Sequence, residues 1–495
     1  MIPYLSGCMR ASEVYLMGNT KHDGALQLSA EEMRALGYRV IDIILEHFES
    51  LRGKPVAHKV DKAKLKKRLL CPLPRKGTSV DIILQQLQRH VFNNIMHLDH
   101  PRFFAFIPGP SNFVSVMADA LAAGFNVFGG TWLEASGPTE VELTTIEWIR
   151  KLCGLPNTAG GLFVSGGSIA NLTALAVARH VELKNRIRGA VVYGSDQVHS
   201  SIERGLRLLG FHHTQFRKLP SDDGFRLSLP ILRRKVADDQ AAGKNPFCVV
   251  ANAGTTNTGA VDPLLALSKF CRKQGLWLHV DGAYGAASML CEKGKSLLRG
   301  MENADSLVLD PHKWLFQPYE IGCVLVRDSR QLRETFRILP EYLKDVDRSE
   351  EEVNFCDYGI QLTRSFRALK LWMSLKIFGL DAFRKAVSRG IELAELAEQT
   401  LRRLHRWEIV THAQIGIVTF RYVSDTHSPS ELDSINQQIV NEMIEDGFAM
   451  VSSTVLRGRT VLRMCTINPR TTPEDIRQTI LRLNSLGSKR SHEEK

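Results

Sequence analysis

Ser306-Leu307-Val308-Leu309-Asp310-Pro311-His312-Lys313-Trp314 is the stretch on which the reading of this chain turns. An apolar run ends in a polar turn, the pattern of a buried strand that runs out into a loop. Lys313 stands just past that strand end. Burial there works against a charged ammonium and favours a nucleophilic amine. Upstream, Trp277-Leu278-His279-Val280-Asp281-Gly282-Ala283-Tyr284 repeats the pattern with an acid at the strand end. An acid and a lysine at the ends of two neighbouring strands suggest a Schiff-base cofactor with a carboxylate under its ring nitrogen. Pyridoxal phosphate needs that arrangement.

Three more strand ends lie further out. Val164-Ser165-Gly166-Gly167-Ser168-Ile169-Ala170-Asn171 passes from a strand through a small-residue turn into a helix. Free backbone N–H groups and the helix dipole make such a junction an anion site. Val191-Val192-Tyr193-Gly194-Ser195-Asp196-Gln197-Val198-His199 ends in a loop whose histidine can stack on a planar ring or move protons. Phe247-Cys248-Val249-Val250-Ala251 leads into Ala253-Gly254-Thr255-Thr256-Asn257-Thr258, whose hydroxyls can reach a ring substituent. From about Ser111 to Lys370 strands alternate with helices, which predicts an α/β domain with a mainly parallel sheet and helices on both faces. Ligands of such sheets gather outside the carboxyl ends of the strands.

The order of these motifs resembles the group II pyridoxal-phosphate-dependent amino-acid decarboxylases, closest in pattern to the aromatic-L-amino-acid decarboxylases. The most specific pieces are His100-Pro101-Arg102-Phe103-Phe104, His279-Val280-Asp281-Gly282-Ala283-Tyr284 and Asp310-Pro311-His312-Lys313-Trp314. The likeness spans about Ser29 to Arg482. It implies a fold-type I transferase-like architecture, a pyridoxal 5'-phosphate cofactor and a homodimer. It also implies loss of carbon dioxide from an L-amino acid by way of an external aldimine and a quinonoid. By motif, Lys313 resembles the lysine that carries the cofactor, and Asp281 the partner of its ring nitrogen. His199 matches the histidine that stacks on the ring. Gly167 and Ser168 match the phosphate loop, with His312 nearby, and Thr256 and Ala283 fall at cofactor-contacting positions. Tyr342, in Leu339-Pro340-Glu341-Tyr342-Leu343, matches the mobile-loop tyrosine that protonates the product carbanion. Related aldehyde synthases typically carry Phe there, so Tyr342 together with His199 points to decarboxylation.

Phe104-Ala105-Phe106-Ile107-Pro108-Gly109-Pro110-Ser111 is apolar, and no basic residue follows Arg102 to neutralise an acidic side chain. Phe128-Gly129-Gly130-Thr131-Trp132, which the resemblance assigns to the partner subunit's pocket, is apolar and rich in small residues. A pocket of Phe106, Ile107, Pro108, Phe128 and Trp132 favours an aromatic or bulky apolar side chain, since burying an unpaired carboxylate there is costly. Two other readings stay open. One is another reaction or another amino acid at the same cofactor, oxidative deamination to an aldehyde included. The other is a non-catalytic basic binding protein on the same fold.

The remaining sequence fits a large globular chain. It has 495 residues, 44% hydrophobic and 24% charged. Three parts are expected: a helical dimerisation segment over 1–110, a cofactor-binding α/β domain over 111–370 and a small α+β domain over 371–495. Ser29 and Glu32 form a capping box for a helix whose apolar face is Met33, Leu36, Val40, Ile44, Phe48 and Leu51. In the last part, Ile415–Tyr422 and Val461–Ile467 read as strands and Thr472-Pro473-Glu474-Asp475 as a helix start. Nine scattered cysteines without a Cys-x-x-Cys pair imply reduced thiols, no metal site and a cytoplasmic location. No run approaches the roughly 18 apolar residues of a membrane span, and no signal peptide is expected. Met17 is an alternative start. The net charge of +11 comes without a nucleic-acid motif and is read as solvated helix faces.

Overall fold

The apolar runs that end in polar loops are strands in the computed structural model, which describes residues 26–338 and 352–490. β1 (Gly160–Val164), β2 (Ala190–Ser195), β3 (Phe216–Leu219), β4 (Asn245–Asn252), β5 (Trp277–Asp281), β6 (Ser306–Leu309) and β7 (Gly322–Val326) form one sheet. Its order is β1-β7-β6-β5-β4-β2-β3. The pairings β2–β3, β2–β4, β4–β5 and β5–β6 are parallel. β7 alone is reversed, lying antiparallel between β1 and β6. The sheet is therefore mainly parallel, and β1, β2, β4, β5 and β6 all point their carboxyl ends the same way.

Every residue of β2, β5, β6 and β7 is buried. A strand buried on both faces must be covered on both faces, which is why these segments read as continuous apolar runs and not as alternating ones. Phe163, Val192, Val249, Val280, Val308 and Val324 belong to the single large core that results.

A second, four-stranded antiparallel sheet lies further along the chain. It comprises β8 (Trp407–Gln414), β9 (Ile417–Tyr422), β10 (Ser452–Leu456) and β11 (Arg459–Cys465), in the order β10-β11-β9-β8. Leu393, Phe420, Ile439, Met464 and Ile480 join this sheet to the helices Leu380–Arg402, Pro429–Asp446 and Pro473–Arg490 in their own core. β9 and β11 match the two expected strands. β8 and β10 correct the expectation. Most of their residues are only partly buried, so they lack the apolar run that betrays a core strand. The last helix starts as predicted: Asp475 N donates to Thr472 Oγ1 at 3.2 Å and Thr472 N donates to Asp475 Oδ2 at 2.8 Å.

Two compact units make up the chain, one of residues up to 54 with 58–96 and one of 55–57 with 97 onward. Both sheets belong to the second. The first contains helix Ala30–Ser50, capped as predicted: Glu32 N donates to Ser29 Oγ at 3.2 Å and Ser29 N donates to Glu32 Oε2 at 2.8 Å. None of that helix's residues is buried, and Met33 and Val40 of its apolar face are exposed. Among the described residues no helix is long and apolar enough to cross a membrane, and no cluster of His, Cys, Asp and Glu could hold a metal ion. The eight described cysteines are free thiols.

Candidate active site

Five strand ends converge on one cleft of about 280 Å³. β1 brings Gly167 and Ser168, β2 brings His199, β4 brings Thr256, β5 brings Asp281 and Ala283, and β6 brings His312 and Lys313. All eight residues expected to hold a cofactor therefore line the same space. The parallel sheet makes this happen. Loops that leave the carboxyl ends of neighbouring parallel strands have nowhere else to meet.

Lys313 is held from two sides. Its Nζ lies 2.9 Å from Asp310 Oδ2. The adjacent Trp314 is fully buried and stacks on Tyr284, with ring centroids 5.3 Å apart and an interplanar angle of 6°. The expectation that burial leaves this lysine short of its proton is corrected here. Burial does oppose the charge, but Asp310, by charge and hydrogen bond, and Asp281 beyond it outweigh that and hold the amine above the ordinary lysine range.

His312 Nδ1 accepts from Ile321 N at 3.2 Å, so in the neutral ring the proton is on Nε2, which faces Asp310 Oδ2 at 3.6 Å. Burial lowers the His312 pKa, with Asp310 opposing and Lys313 assisting. His199 Nδ1 accepts from Ser201 N at 3.2 Å and lies 2.8 Å from Ser201 Oγ, which leaves Nε2 to carry the proton. Desolvation lowers its pKa despite Asp281. Asp281 is 7% exposed; its Oδ1 accepts from Ala283 N at 3.1 Å and its Oδ2 from Asn171 Nδ2 at 2.9 Å.

These groups fit pyridoxal phosphate. Helix Gly167–Leu183 begins at Gly166, whose φ of 157° and lack of a side-chain cap leave the first turn open for an anion. A β-carbon at Gly166 would stand 3.1 Å from His312 Cε1, and one at Gly167 would stand 2.7 Å from Asp310 Oδ2, so glycine keeps that turn accessible. Asp310 Oδ1 is buried without a hydrogen-bond partner. An amine, a carboxylate, a planar imidazole and an open helix start are the donor and acceptor set that an aldehyde, a pyridine nitrogen, an aromatic ring and a phosphate require.

The residues expected at the substrate side chain are placed differently. Phe106, Ile107 and Pro108 do not line the cleft. Tyr319 packs on His312 with ring centroids 4.9 Å apart, and its hydroxyl occupies the space a β-carbon at Gly109 would need. Arg463 Nη1 donates to the Phe106 carbonyl at 2.6 Å. Phe128 and Trp132 do not line the cleft of their own chain. Trp132 N donates instead to Asn354 Oδ1 at 2.8 Å. Tyr342 lies outside the described residues.

Asn171, His279 and Asp310 stand inside the quoted motifs without an assigned role, and Ser201, Asn252, Tyr319 and Arg463 stand outside them. Asn252 and Asp310 are strand-end residues, so the same strand-end rule that found Asp281 and Lys313 applies to both. Tyr319 and Arg463 carry no such signal, because what matters in them is a neighbour far along the chain.

Residues 63–423 match the family model described as the pyridoxal-dependent decarboxylase conserved domain. The chain is 51% identical over 463 residues to an aromatic-L-amino-acid decarboxylase of Bacillus atrophaeus, covering 93% of this chain and 96% of that one. It is 31% identical over 460 residues to a phenylacetaldehyde synthase of Arabidopsis thaliana, covering 90% and 94%. Among solved structures, Oryza sativa TDC with PLP and tryptamine superposes with a TM-score of 0.89 at 27% identity, covering 94% of this chain and 99% of that one. The architecture is therefore fold-type I, the cofactor is pyridoxal phosphate and the activity is that of a carboxy-lyase. With its lysine, carboxylate, imidazole and open helix start gathered at five strand ends, this chain belongs to the pyridoxal-dependent decarboxylase family.

Proposed function

We propose that this enzyme removes carbon dioxide from an aromatic L-amino acid and releases the amine. The observation that carries this reading is the meeting of Lys313, Asp281, His199 and the open Gly166–Gly167 turn in one cleft. The names of the similar proteins support the aromatic substrate class.

When bound, pyridoxal phosphate supplies a conjugated ring that accepts the electron pair left on the α-carbon as carbon dioxide departs. The residues divide the remaining work. Gly167, Ser168 and His312 hold the phosphate through N–H and O–H donors. Lys313 would hold the aldehyde end of the cofactor through its amine, within reach of a substrate amine that competes for the same carbon. Asp281 keeps a proton at the ring nitrogen, because a fixed carboxylate makes the protonated form the cheaper one. His199 would pack against the cofactor's ring, with Nε2 left as a donor. Thr256 and Ala283 confine the ring edge. Tyr342, by its sequence motif, would hand a proton to the α-carbon.

Two further parts belong to the same proposal. The enzyme works as a cytoplasmic homodimer in which Phe128 and Trp132 complete the partner's substrate pocket. The open face of helix Ala30–Ser50 and the absence of both aromatics from their own cleft support this. Residues 111–370 and 371–495 act as a large and a small lobe, a division supported by their separate sheets.

The test is purified protein with pyridoxal phosphate against a panel of L-amino acids, scored for carbon dioxide, amine and peroxide. Amine and carbon dioxide from tryptophan, tyrosine or phenylalanine, without peroxide, is the expected result. Aldehyde with stoichiometric peroxide overturns the reaction, and preference for an acidic amino acid overturns the substrate class.

A further inference from the structure

Below Asp281 the structure holds a buried chain of hydrogen bonds whose direction is fixed at both ends. Trp277 Nε1 donates to Ser306 Oγ at 2.9 Å, and Ser306 Oγ lies 2.8 Å from His279 Nδ1. His279 Nε2 lies 2.9 Å from Asn171 Oδ1. Asn171 Nδ2 then donates twice, to Asp281 Oδ2 at 2.9 Å and to Ser201 Oγ at 2.9 Å. Ser201 Oγ lies 2.8 Å from His199 Nδ1. Indole nitrogen can only donate and an ionised carboxylate can only accept. Every group between them must therefore donate toward Asp281. Ser306 gives its hydroxyl proton to His279 Nδ1, His279 carries its proton on Nε2, and Asn171 must present its amide nitrogen, not its oxygen, to Asp281. On the branch, Ser201 accepts from Asn171 and gives its proton to His199 Nδ1. That matches the Ser201 N–H already directed at the same nitrogen.

We propose that Asn171 is a positioning residue that orients Asp281 and His199 together, as the branch point of this one-way chain. The inference rests on the roles given to Asp281 and His199 in the preceding section. Asn171 is 1% exposed, and both its amide hydrogens and its carbonyl oxygen are engaged. One side chain thereby sets the carboxylate meant for the ring nitrogen and the imidazole meant for the ring face. A rotation of Asn171 cannot misplace one of them alone. Ser306, His279 and Trp277 keep it from rotating, because a flipped amide would set its N–H₂ against the His279 N–H and its oxygen against the Asp281 carboxylate.

The discriminating variant is Asn171→Asp, which has the same shape. It keeps an acceptor toward His279 but loses both donors. Roughly 10- to 100-fold losses in cofactor affinity, read by titrating the apoenzyme, and in kcat/KM are expected, the range typical of residues that orient ligating groups. A carboxylic acid can donate where a carboxylate cannot. The variant should therefore regain turnover as pH falls, a limb absent from the wild-type profile. The ¹⁵N signals of His279 should still report a proton on Nε2. Asn171→Ala should show the losses without the acid recovery, and Asn171→Ser, which keeps one donor, should lie between. An Asn171→Asp enzyme within twofold of wild type in affinity and pH profile overturns the proposal. So does a loss of activity that tracks only the loss of folded protein. The Lys313→Ala enzyme separates the two readings. If borohydride still fixes the cofactor covalently to it, the assignment of the site fails, whatever Asn171 does.

Discussion

Two buried polar clusters lie close to β1, and they are built to opposite rules. At Arg364 the guanidinium pairs with Glu142 at 2.6 Å and donates to the carbonyls of Gly129 at 2.9 Å and Phe163 at 2.8 Å. It also lies 4.7 Å over the Phe355 ring, and Glu142 Oε1 accepts from Phe163 N at 2.9 Å. Charges and lone pairs there are satisfied inward, and both side chains are at most 3% exposed. Around Lys313 the polar groups are left with capacity to spare: Asp310 Oδ1 has no partner, the turn before helix Gly167–Leu183 has no cap, and Lys313 is 23% exposed to the cleft. A saturated buried network stabilises the fold, whereas an unsaturated one awaits a ligand. The distinction is one of satisfaction, not of charge or burial.

The comparison predicts opposite phenotypes. Lys313→Ala should lower turnover by roughly four orders of magnitude or more, as loss of a nucleophile does. It should leave the folded protein intact, because Asp310 then faces a cleft that water can enter. Turnover assays beside a thermal melt check both halves, and a melt that collapses would break the comparison. Arg364→Ala should do the reverse. Leaving Glu142 buried without its partner costs about 3–5 kcal/mol of stability, readable as a fall in the denaturation midpoint, with any folded enzyme still binding the cofactor. Asp281→Asn should come next, removing a preorganised charge at a cost of roughly 3 kcal/mol or more in the activation barrier, visible in kcat.

The smallest effect concerns His279, fully buried and pushed down to about 4 by desolvation, with Asp281 opposing. Between that value and the ordinary histidine value of about 6.5, the unfolded chain binds a proton that the folded one does not. Stability should therefore be fully present above about 6.5 and fall as pH drops toward 4, by up to about 3 kcal/mol from this residue. Chemical denaturation across that window measures the slope. His279→Gln should flatten it, and an unchanged slope would show that this histidine is not held neutral.

Much of this was legible along the chain because parallel sheets write themselves into sequence. A strand buried on both faces is an apolar run, and the residue after it is a site residue by topology. That pattern singles out Asp281, His199 and Lys313, the resemblance adds Thr256, and the helix starts at Ser29 and Thr472 follow from short spacing. β8 and β10 were not found, since strands with many half-buried positions lose the apolar run. The protonation of Lys313 was misjudged because burial was visible in the sequence and the Asp310 contact was not.

What the sequence determined by itself is the set of chemical groups and the order in which strand ends deliver them, since both follow from local patterns of a few residues. Only the tertiary structure decided which groups touch. Asn171 meets His279 and Asp281 across more than a hundred residues, Arg364 meets Glu142 across more than two hundred, and Arg463 meets Phe106 across more than three hundred. A hydrogen bond depends on distances of a few tenths of an ångström and on the direction of a proton. Those are set by how strands register and helices pack, and no local pattern carries them.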